Sequence, residues 1–123
     1  MALAGWPHDL VSPDHEDFSS EAVKWLLDQG PADLRTSTLR QFPLALALYL
    51  EAFILGAIEG SRVGYSQTRT KLEGALQASD LEIVQQAWAA QGARLVALQR
   101  EIALVVVGLR EVSEQRQGPR LSR

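Results

Sequence analysis

His8 and His15 are the only histidines in the chain, and His15 stands in the run Asp14-His15-Glu16-Asp17, a set of donors able to hold a divalent cation. Helix-borne carboxylate metal sites need several inward glutamates with a Glu-x-x-His pairing, and no such pairing exists here. The acidic run therefore reads as a solvated turn, and neither a metal nor another cofactor is expected. Cysteine is absent, which removes thiolate nucleophiles, disulfides and cysteine-bound metal. The sequence also lacks a Gly-x-Ser-x-Gly elbow. The stretch Gly56-Ala57-Ile58-Glu59-Gly60-Ser61-Arg62-Val63-Gly64 has the glycines of a phosphate loop but not its Lys-Ser/Thr ending, and it falls inside a helical pattern. Glu51 and Glu59 stand two helical turns apart, without neighbours that would divide them into acid and base. Catalysis is therefore not expected.

Arg62, Arg69 and Lys71 could meet nucleic acid, as could Arg116, Arg120 and Arg123 near the end of the sequence. Neither set forms a dense patch and no short recognition helix is visible, so these residues read as solvated faces. The formal charge of −3 points the same way. Charge is unevenly placed: residues 1–34 hold seven acids against one base, Lys24. This start reads as an acidic arm over 1–17, either solvated or laid over a basic surface of this chain or of a partner.

The elements follow from periodicity and punctuation. A first helix is expected from Ser19 or Ser20 to Gln29, with Ala22, Val23, Trp25, Leu26 and Leu27 on its apolar face and Gly30-Pro31 as the stop. Residues 31–42 allow one helical turn and a connection. Pro43 fits the first turn of a second helix that continues to about Leu76. Ser79-Asp80-Leu81-Glu82 fits a capping box opening a third. There Leu81, Val84, Trp88, Gln91, Leu95, Leu98, Ile102, Val105, Leu109 and Val112 recur at alternate spacings of three and four, a heptad seam. After Val112 the pattern is lost, which predicts a flexible basic tail over 114–123. The helical domain is thus 18–113.

Two long helices joined by a few residues run antiparallel, and a loop centred near residues 76–78 would set Gly64 near Gly92. Gly56, Gly60 and Gly64 fall on one side of the second helix, and each interior glycine costs roughly 0.8–1 kcal/mol against alanine. A backbone or large side chain pressed on that side is expected. Another stripe of the same helix carries Glu51, Arg62, Tyr65 and Arg69 among leucines, a polar cluster whose charges should be paired or rim-placed. Phe42 to Ile58 carries one charge, Glu51, in 17 residues. That is short of the ~20 apolar residues of a membrane span, so a buried helix and no membrane are expected. The start MALAGWPHDL lacks the basic and long apolar regions of a secretory signal, so a cytoplasmic protein is expected.

These readings converge on an all-α fold: an antiparallel long-helix hairpin with a short N-terminal helix, dimerising into a four-helix-bundle-like assembly. The function expected is that of a non-enzymatic interaction, scaffold or adaptor protein working as a homodimer, with an unidentified protein as a further partner. A nucleic-acid-associated regulatory dimer and a binder of a small anionic ligand, held by Arg62, Tyr65 and Arg69, are the alternatives.

Overall fold

The computed structural model describes residues 4–121, with side chains through Arg116. The described residues form three α-helices, α1 (Phe18–Gln29), α2 (Pro43–Leu72) and α3 (Ala78–Leu121), and two 3-10 turns, Ala32–Thr36 and Thr38–Gln41. No strand is present among them, and the two long helices pack together. The contacts divide the chain into two compact units, one of residues 1–53 with 100–123 and one of residues 54–99.

The first unit holds most of the core. On α1, Phe18, Ala22, Trp25 and Leu26 recur at helical spacing and are buried. The helix stops at Gly30, whose extended backbone is what a following proline favours. Gly30 also permits close approach: a Cβ there would lie 2.5 Å from Leu50 Cδ2 and 2.9 Å from Leu34 Cδ1. Leu46, Ala47 and Leu50 from α2 and Ile102, Val105, Val106 and Leu109 from α3 complete the core.

The acidic start is not a solvated arm in residues 4–17. Pro7 and Leu10 are buried, and the Trp6 ring lies 5.8 Å from that of Phe18. Trp6 Nε1 donates to the Leu10 carbonyl at 3.0 Å, and Trp25 Nε1 donates to Asp9 Oδ1 at 3.1 Å. Pro13 and Phe18 close over Gly108, where a Cβ would meet Pro13 Cγ at 3.0 Å. Two indoles supply enough apolar area to hold an acidic segment down.

The second unit is a helical hairpin with a thin core. Ile54 and Leu81 are its buried apolar residues, whereas Leu95 and Leu98 on the seam are half-buried and Gln91 is exposed. Helix α2 ends at Leu72, four residues before the expected end, because Gly74 takes a left-handed φ of +84°. The Leu72 carbonyl accepts from the amides of Ala75 and Leu76. Helix α3 begins at Ala78, so Gln77 occupies the capping position and Ser79 lies within the first turn, not at the cap the expected box requires. At its other end α3 continues to Leu121, through most of the segment expected as a tail. Good helix formers follow Val112 and no glycine interrupts before residue 118. The side chain of Arg120 and all of Arg123 lie outside the described residues.

Candidate interaction surface

One side of α2 is apolar and uncovered. Phe42 at its cap and then Ala45, Tyr49, Ala52, Phe53, Gly56, Gly60 and Val63 recur at spacings that keep them on one side of an α-helix, and all are exposed. No charged residue falls in this row. The aromatic members retain 56% (Phe42), 45% (Tyr49) and 41% (Phe53) of their surface, and Leu48 and Leu55 flank the row, also exposed. Tyr49 and Phe53 stack at a centroid distance of 6.5 Å. Monomeric proteins rarely expose contiguous apolar patches above a few hundred Å². By length and composition α2 could also cross a membrane: its most apolar 18 residues have a mean hydropathy of 1.6, yet only 22% of them are buried. Such a single helix is weak evidence of a span, and the low burial sets it apart from an ordinary core helix.

The three glycines divide. Around Gly56 and Gly60 a Cβ would meet nothing within 4 Å, so no covering backbone lies over them among the described residues. At Gly64 the expectation of close packing holds, but the neighbour is a ring and not Gly92. A Cβ there would lie 2.5 Å from Trp88 Cζ2. Trp88 Nε1 donates to the Ser61 carbonyl at 2.9 Å, which turns the Nε1–Cζ2 edge of the indole toward the bare backbone. Gly92 instead faces Ser61, whose Oγ would be 3.3 Å from a Cβ. The pairing is thus displaced by about two residues from the one expected, as the early end of α2 requires.

The polar stripe does not converge into one cluster. Arg62 pairs with Glu59 on its own helix at 3.2 Å, both groups being exposed, a geometry that contributes little stability. Arg69 Nη2 donates to Gln85 Oε1 at 3.2 Å, and Gln85 Nε2 donates to the buried Thr68 Oγ1 at 3.2 Å. Glu51 is half-buried and takes part in no ion pair among the described residues, which leaves it the rim placement of the two expected. Tyr65 is exposed. A cleft of about 290 Å³ opens beside Arg62 and Tyr65, floored by Trp88, Ile58 and Val96. Arg69 is not among its walls.

The acidic run spends its donors locally. His15 Nδ1 accepts from the Asp17 amide at 3.0 Å, and the Ser12 hydroxyl donates to Asp14 Oδ1. That hydroxyl, with a backbone amide, holds the Asp14 carboxyl below its ordinary value. Among the described residues no three histidine, aspartate or glutamate side chains gather in a metal-binding arrangement.

Sequence reasoning passed over Ser61, Thr68, Gln85 and the outer row around Tyr49 and Phe53. The first three become legible only with the correct hairpin register. The outer row was hidden because an apolar run was assigned wholesale to a buried helix. No family model, curated protein or solved structure matches this chain, so its function has to be argued from the geometry above.

Proposed function

We propose that the protein works by association and not by catalysis: a helical interaction or scaffold protein that is a homodimer and presents its hairpin to a further protein partner. The observation that carries the reading is the uncharged, exposed row along α2, with three aromatic rings left open to water. Leaving such a row bare forfeits about 25 cal/mol for each Å² of apolar surface. The thin core of residues 54–99 supports the same conclusion, since a two-helix hairpin gains most of its stability from packing against something else. Sedimentation equilibrium between one and one hundred micromolar tests it. A dimer mass that Phe53→Asp converts to a folded monomer is the expected result, and a monomer across the whole range refutes it.

A second reading has one observation in its favour. The cleft lined by Trp88, Ile58 and Val96 is apolar and has Arg62 among its walls, a combination suited to a small amphipathic anion that would compete with Glu59 for the guanidinium. A thermal shift on adding a medium-chain carboxylate, abolished by Arg62→Ala, would support it, and no shift at millimolar ligand would remove it.

A further inference from the structure

The outer row of α2 is unequal along its length. Its N-terminal half carries the rings of Phe42, Tyr49 and Phe53, and its C-terminal half carries the bare backbone of Gly56 and Gly60. Tyr49 lies as many residues before the midpoint between 54 and 55 as Gly60 lies after it, and Phe53 and Gly56 are related in the same way. The geometry points to an antiparallel self-association of α2 about a two-fold axis at that midpoint, with Tyr49 and Phe53 of each copy seated on Gly60 and Gly56 of the other. This inference rests on the homodimer reading and names its contact.

Three features select a second copy. Volume is the first: an antiparallel pair sets each large ring against a position where a Cβ would meet nothing within 4 Å. A parallel pair would stack ring on ring and glycine on glycine, crowding one half and leaving a void in the other. The isologous contact also closes, giving a dimer and not a fibre. Area is the second: with Val63 and the small residues between them, the row presents roughly 500 Å² per copy, so that two copies together reach the roughly 1,000 Å² that a specific interface must clear. Charge is the third: the row itself carries none, and Glu59, which borders it between Val63 and Leu55, is paired with Arg62 on its own helix, so two copies meet without burying a lone ion.

Absence of cysteine makes the test clean. Tyr49→Cys and Gly60→Cys are prepared as separate full-length chains, each checked for helicity, and oxidised alone and as a mixture. In the antiparallel pair residues 49 and 60 of opposite copies come within the roughly 5.5 Å Cα separation of a disulfide, whereas the two copies of residue 49 are offset by about 16 Å along the axis. The mixture should give a heterodimeric disulfide and neither chain alone should cross-link. Cross-linking of each chain with itself would overturn the antiparallel contact and leave the homodimer standing. A monomer by sedimentation, or partition of the chain into zwitterionic lipid vesicles with Tyr49 and Phe53 buried in them, would overturn both. Gly60→Leu gives an independent reading: it should weaken dimerisation at least about tenfold without loss of helix content. Unchanged dimerisation would refute the seating of Tyr49 on that glycine.

Discussion

Gly64→Ala tests the description of the hairpin most directly. In an exposed helix interior alanine is about 0.8–1 kcal/mol better than glycine. Here the added Cβ would fall 2.5 Å from Trp88 Cζ2, so the indole must move by roughly 1 Å to reach ordinary contact. Rotation away from the backbone breaks the 2.9 Å bond from Trp88 Nε1 to the Ser61 carbonyl, a loss of about 1 kcal/mol. Displacement of a half-buried ring adds an overpacking cost of about 1–3 kcal/mol. The net expectation is destabilisation by about 1–3 kcal/mol. Trp88→Phe removes both the hydrogen bond and the outer ring, so in that background Gly64→Ala should become neutral or stabilising. Urea unfolding of the four chains at one fixed concentration gives the coupling energy. Equal effects of Gly64→Ala in the two backgrounds would show that the ring does not lie on that glycine.

Two further tests address the first unit. Gly30→Ala should cost about 1–3 kcal/mol by urea unfolding, because its Cβ would collide with Leu50 and Leu34, and a stabilised variant would contradict that packing. Ser12→Ala should raise the Asp14 carboxyl toward the ordinary 3.8 by removing the hydroxyl that stabilises its anion. Because the folded value is depressed, the contribution of Asp14 to stability is present above about pH 4 and is lost as pH falls through the folded value. Carbon-detected NMR titration reads the shift, and an unmoved Asp14 would refute the assignment.

The helices were legible wherever punctuation and periodicity agreed. Gly30-Pro31 and Pro43 mark boundaries that the backbone respects, and the heptad residues Ile102, Val105 and Leu109 are buried as their spacing requires. Misjudged were the places where a local signal met a stronger neighbour. A left-handed Gly74 ends α2 before the apolar pattern does, and this moves Trp88 onto Gly64. Trp6 and Trp25 anchor a segment whose composition reads as solvated. The inward side of α2 was not assigned: Leu46, Ala47, Leu50 and Ile54 are buried, whereas Leu48 and Leu55 face water. A helix apolar around most of its circumference gives no periodic signal by which to orient it.

Core residues are shared very unequally between the two units, and this has a consequence for fluctuations. Amides beside Leu26, Leu50 and Val105 should exchange with deuterium only on global opening, whereas those between Ser61 and Leu95 should exchange through a cheaper sub-global event. The hairpin is then a segment whose order an associating molecule can set, and slowed exchange there would map that molecule's footprint.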